Sequence, residues 1–180
     1  DVVQLHRLRP AFGFSITKRR VGVLPDGSPC TYPADFQPLS YRDGEAIMEG
    51  DRLFAYRPKA GLVFYQEFHP FKGIRSADGI DPAYLPSMAD DEFAYLSTQS
   101  RQLRQSTDRA ILGAFGGNVI EAGQFDFGYE EFLMLMATEK KLVHAYFERL
   151  TEAWIRSLDR YIEAVGDNID VIQMGDDLGT

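Results

Sequence analysis

Cysteine is almost missing from this chain: Cys30 is the only one in 180 residues. A single thiol excludes an internal disulfide framework and fits a reducing compartment, so a cytoplasmic protein is expected. No apolar run approaches the ~20 residues of a membrane span, and no signal peptide is visible in a chain that starts at Asp1 without a methionine. There is no His-x-Cys or Cys-x-x-Cys spacing, so these residues alone cannot build a thiolate zinc site. Glycine-rich dinucleotide and phosphate-loop patterns are absent as well. Positive charge is scarce: 19 Lys and Arg against 27 Asp and Glu give a net charge of -8. That balance excludes a general nucleic-acid binder, which needs a basic face to neutralise phosphates.

What is present suits a folded α/β chain. Hydrophobic residues make up 44% of the sequence, enough for a sizeable core. Positive charge gathers towards the N-terminus, where the run Lys18-Arg19-Arg20 reads as a solvated loop edge. Residues 10–70 are rich in Pro, Gly and aromatics, with turn signals at Pro25-Asp26-Gly27, Arg42-Asp43-Gly44 and Glu49-Gly50-Asp51. Glu45 to Met48 and Arg52 to Tyr56 read as a hairpin, and Gly61 to Tyr65 as a further extended run.

The C-terminal half alternates helix and strand. Asp90-Asp91 opens a helix through Phe93, Leu96 and Leu103, with acidic residues at its positive end. Ala110 to Phe115 is an unbroken apolar run that suits a strand buried on both faces. A short helix is expected near Tyr129 to Met136. Leu142, Tyr146, Leu150, Trp154, Leu158, Ile162 and Val165 then mark a long amphipathic helix capped by Thr138 and stopped by Gly166. Tyr146, Leu150, Trp154 and Leu158 are its expected buried stripe. A last strand runs from Asp170 to Met174, and a strand at Asp1 to Leu5 opens the chain. Strand, helices, strand is a βαβ pattern with a parallel sheet. The expected organisation is therefore one segment: residues 1–88 as a strand plus a β-rich excursion, and 89–180 as helix, strand, two helices and strand.

In a parallel barrel, reacting groups stand at the C-terminal ends of the strands. Two stretches qualify: Gly116-Gly117-Asn118-Val119-Ile120-Glu121 and Gln173-Met174-Gly175-Asp176-Asp177. The carboxylates Asp176 and Asp177 could accept hydrogen bonds from a substrate, bind a cation or transfer a proton; alternatively, one of them caps the next helix. Asn118 and Glu121 follow glycines that let backbone approach a ligand, or else form an ordinary loop. His69 reads as loop packing, while His144 and His6 carry little information.

These two strand ends carry a family resemblance. Ala110 to Gly117 resembles the IIGFVGGPFTLASY strand of uroporphyrinogen decarboxylases, and Val165 to Thr180 is similar to their AGADAVQIFDSWAG strand, with a long helix between them. The resemblance covers residues 108–180 well and 1–90 more loosely. It implies an internal segment of a uroporphyrinogen decarboxylase-like α/β barrel, that is, a partial TIM-type barrel with a β-hairpin excursion, since a complete barrel takes ~250 residues. Both ends of the chain read as cut at strands.

The resemblance implies catalytic roles for Asp176 and Asp177, with Asn118, Glu121, Gln173, Gly117 and Asp1 around the substrate. Departures shape the expected reaction. Gln124 replaces the family's tyrosine, and Glu121 adds negative charge, which suits a polycarboxylated porphyrinogen poorly. The Gly-Asp-Asp-Leu-Gly-Thr ending looks like relatives that accompany corrinoid methyltransferase systems. The leading expectation is therefore methyl transfer involving a small molecule or a corrinoid protein, with corrinoid and zinc supplied outside this segment and no metal held within it. Uroporphyrinogen decarboxylation, with Asp176 or Asp1 on the pyrrole N–H groups, is the alternative. A non-catalytic binding member is the third. Neither nucleic acid nor membrane is an expected partner; a homodimer is the expected assembly if one forms.

Overall fold

The computed structural model describes residues 1–10 and 13–176. In chain order the strands are β1 (Val2–Leu5), β2 (Arg19–Val23), β3 (Pro29–Pro33), β4 (Leu39–Tyr41), β5 (Gly44–Glu49), β6 (Arg52–Pro58), β7 (Tyr65–Gln66), β8 (Ala110–Gly116) and β9 (Val171–Met174). The helices are α1 (Asp90–Ser106), between β7 and β8, then α2 (Ile120–Phe127), α3 (Tyr129–Thr138) and α4 (Lys140–Val165), between β8 and β9. The chain is mixed α/β, and no sheet among the described residues closes into a barrel. No helix among them is long and apolar enough to cross a membrane.

Two compact units divide the chain: Leu8–His69 forms one, and Asp1–Arg7 with the chain from Pro70 onward forms the other. The second holds a three-stranded parallel sheet in the order β1-β8-β9. Alternation explains its faces, because successive side chains on a strand point to opposite sides. Leu5, Ile111 and Phe115 are buried on one face against Phe93 and Leu96 of α1 and Tyr161 and Val165 of α4. On the opposite face Leu112 and Ala114 are half-buried, and Gln4 and Gln173 are exposed. The apolar run of β8 is thus buried on one face rather than both.

The periodic signal of α4 is real, but its stripe is rotated from the expected one. Leu142, Val143, Tyr146, Leu150, Ala153, Ser157, Tyr161 and Val165 are buried, whereas Trp154 and Leu158 are partly covered and Ile162 is 47% exposed. Steps of four overshoot a turn of about 3.6 residues by some 40° each, so a stripe must mix threes and fours. After Leu150 the core therefore passes to Ala153. Glu139 rather than Thr138 precedes α4, because Thr138 ends α3 and its hydroxyl donates to the Met134 carbonyl. Gly166, at φ 51°, ends α4 as expected.

Helix α2 lies where a loop was expected. It survives its weak pattern because Gly123 admits the Phe132 ring of α3: a Cβ there would stand 2.1 Å from that ring. Phe127, Phe132, Tyr146 and Phe71 then pack in edge and stacked contacts. Within this cluster the Tyr146 hydroxyl donates to Asp126 Oδ2 at 2.7 Å.

The Leu8–His69 unit contains the β2-β3 ribbon and an antiparallel sheet ordered β4-β5-β6-β7. The expected hairpin is β5-β6, and the extended run near Gly61 shortens to the two residues of β7. Its core is Phe36, Ile47 and Ala55, flanked by Phe14, Tyr32, Phe54 and Phe64. The basic run is partly occupied: Arg19 donates to the Ile16 carbonyl, and Arg20 donates to that of Phe36 while lying over the Tyr32 ring.

Burial raises the Asp126 carboxyl to about 6, opposed by the Tyr146 hydrogen bond. The fold therefore prefers the protonated acid, and the sign is opposite to that of a salt-bridged aspartate. Its contribution is fully present below pH ~4 and lost as pH rises through about 6, a change on the order of 2–3 kcal/mol. Urea unfolding of the wild type and Asp126→Asn at pH 4 and pH 7 measures this. The wild type should lose that amount relative to the variant; parallel pH profiles would contradict it.

Candidate functional site

The polar groups gather at the C-terminal end of the β1-β8-β9 sheet. Gly116, the last residue of β8, and Gly117 adopt φ of 107° and 80°, a left-handed path that side chains resist. A Cβ on Gly117 would also fall 2.5 Å from the Met174 side chain and 3.2 Å from the Phe115 ring. The chain can thus turn tightly from strand into α2, and Asn118 to Glu121 form the rim.

Asp176, two residues beyond β9, reaches across to this rim. Its Oδ2 accepts from the backbone N–H groups of Val119 at 3.0 Å and Ile120 at 2.9 Å, and its Oδ1 accepts from that of Glu121 at 2.9 Å. The first N–H groups of a helix have no partner within it, and the helix dipole favours negative charge there. Val119 supplies no side-chain cap of its own. A carboxylate from the neighbouring strand supplies it instead. The capping alternative therefore describes the observed geometry, with the difference that the capped helix is α2, after β8.

Asn118 and Glu121 lie in the same group: Asn118 Nδ2 donates to Glu121 Oε2 at 2.7 Å, and the Asn118 carbonyl accepts from Trp154 Nε1 at 2.9 Å. This bond explains why Trp154 is only partly buried, since its indole edge is committed to the rim. Gln173 sits on the helix-free face, where Gln4 Nε2 donates to its Oε1 at 2.9 Å across the width of β8. Asp1 does not join the group. It precedes β1 at the opposite edge of the sheet and lies 3.5 Å from Arg109. Asp177 lies outside the described residues.

Sequence reasoning passed over Arg7 and Glu92. Arg7 Nε donates to Glu92 Oε1 at 2.7 Å, with the Glu92 side chain only 4% exposed. Arg7 follows β1 by two residues, and its Nη1 lies 3.9 Å from where a Gly116 Cβ would be. The Tyr161 hydroxyl is buried without a hydrogen-bond partner among the described residues, and burial pushes it up to about 12. A lone arginine beside His6 offered no spacing signal. The available hint was its place just beyond a strand. No group of three metal-ligating side chains occurs among the described residues.

No family model, curated protein or solved structure matches this chain. The resemblance to uroporphyrinogen decarboxylases thus stands on the strand-end residues alone.

Because Asp176 satisfies three backbone donors, its removal should act first on stability. Asp176→Asn keeps one acceptor oxygen and turns a donor towards other donors, at a cost of roughly 1–2 kcal/mol. Denaturant titration of Asp176→Asn and Asp176→Ala measures it. Wild-type stability in both variants would mean that the carboxylate does not hold α2.

Proposed function

We propose that this chain is part of an α/β-barrel enzyme of the uroporphyrinogen decarboxylase-like class, acting in methyl transfer with a corrinoid-bearing substrate. The order β1-β8-β9 supports the barrel reading: parallel strands that neighbour one another in space, helices on one face, and polar groups at the C-terminal ends. Fold-level likeness does not by itself fix a reaction.

The observation that carries the choice of reaction is the commitment of Asp176. Its two oxygens are occupied by α2 backbone, so it acts as a positioning residue that places Asn118 and Glu121. That arrangement favours methyl transfer over decarboxylation, in which Asp176 or Asp1 would be needed on the pyrrole N–H groups: Asp1 lies beside Arg109 at the start of β1, away from the rim. Glu121, oriented by Asn118, is the group proposed to meet the substrate, and the Gln4-Gln173 pair offers amide donors and acceptors on the open sheet face. The described residues do not fit a zinc centre.

Incubating the full-length enzyme of which this chain is proposed to be a part with methylcobalamin and a thiol tests the reading, with uroporphyrinogen in a parallel reaction; the segment alone is expected to be inactive. Thiol methylation should occur and fall at least tenfold in Glu121→Gln, whose thermal midpoint should match the wild type. Carbon dioxide release from uroporphyrinogen without methyl transfer would replace the proposal by decarboxylation. Activity in neither reaction would favour a binding protein.

A further inference from the structure

The Leu8–His69 unit holds a cavity of about 550 Å3, within the range that takes a small molecule. Val23 at the end of β2 with Leu24 and Pro25 beyond it form one wall, the β4-β5 turn another, and the end of β6 the third. Its charges do not fully cancel: Arg42, Arg57 and Lys59 face Asp43 and Glu45, and Arg42 also acts on the neighbouring Asp43 carboxylate. The Asp43 carboxylate is taken by the Tyr56 hydroxyl, and that of Glu45 by Arg57. Arg42 and Lys59 also line the cavity, and neither forms an ion pair among the described residues. Register brings them to one end of the sheet, since Gly44 pairs with Pro58.

Backbone conformation points to the same place. Arg42, at φ 50°, is the one non-glycine residue with positive φ among the described residues. Glycine would take that conformation without steric cost, whereas an arginine adopts it against the preference of its own backbone. Its guanidinium lies 5.0 Å from the Tyr41 ring centroid and 6.0 Å from that of Tyr56, which steadies the side chain beside the cavity.

A second cavity, of about 200 Å3, shares Leu24 and Arg57 with the first, and the rings of Phe14, Tyr32, Phe36 and Phe64 surround it. One cavity thus carries an excess of positive charge, and the adjoining one is aromatic. Neither belongs to the β1-β8-β9 site.

We propose that the two cavities form one binding site for a small organic anion. Its carboxylate or phosphate pairs with Arg42 and Lys59, and its aromatic or aliphatic body lies against Leu24 and the adjoining rings. Calorimetry and amide-shift titration of the whole chain with phenyl phosphate and 3-phenylpropionate test this, with inorganic phosphate and neutral 3-phenylpropanol as controls. At least one aryl anion should bind saturably and shift amides between Ser40 and Glu45 and at Lys59. Which of the two binds more tightly distinguishes phosphate from carboxylate. Arg42→Gly, which relaxes the backbone, and Lys59→Gln should each weaken binding at least tenfold while the fold persists. The proposal is overturned if neither aryl anion binds, if the alcohol binds as well as the acids, or if both variants keep wild-type affinity. Inorganic phosphate binding as tightly as phenyl phosphate would also overturn it, by removing the apolar half of the site.

Discussion

Strand β9 buries none of its side chains, and two aspartates hold it in place. Val171, Ile172 and Met174 are 52%, 36% and 54% exposed, so hydrophobic burial contributes little to fixing this strand. At its beginning Asp170 accepts from the Ile111 N–H at 2.7 Å and from Arg104, and these bonds hold its carboxyl below the usual range. At its far end Asp176 takes three N–H groups of α2. The ladder with β8 and these carboxylates fix the register, and through it the position of Gln173, Asn118 and Glu121. The polar rim at the sheet end thus rests on these hydrogen bonds together with the packing of Val119 and Ile120 against the aromatic cluster.

Packing is supplied by α4. Its first half joins the aromatic cluster with Phe71, Phe127 and Phe132, and its second half joins the cluster under Leu5, Ile111 and Phe115. Trp154 touches both clusters, and its indole nitrogen bonds to the rim. A change in the docking of this helix would therefore reach the site through one side chain.

How legible each part was follows from which force makes it. Elements built on apolar periodicity could be read: β1, β8, β9, α1, α3 and α4, with the β5-β6 hairpin marked by Glu49-Gly50-Asp51. Helix α2 was not, because it has no cap of its own and depends on Asp176, 56 residues beyond Ile120, and on the Gly123-Phe132 contact. The β2-β3 ribbon was missed because Val21 and Val23 are exposed and leave no alternating core pattern. At the site, the grouping of Asn118, Glu121 and Asp176 followed from strand ends, but the capping role needed the cross-strand geometry. Arg7 and Glu92 form a pair 85 residues apart that no local pattern encodes.

The central claim is that one carboxylate beyond β9 orders the start of α2 and so builds the rim. Amide hydrogen exchange at Val119, Ile120 and Glu121, compared between wild type and Asp176→Ala, addresses it most directly. The account predicts that these three amides are protected in the wild type and lose protection together in the variant, while the central amides of α4 are unchanged. Equal protection in both proteins would contradict it.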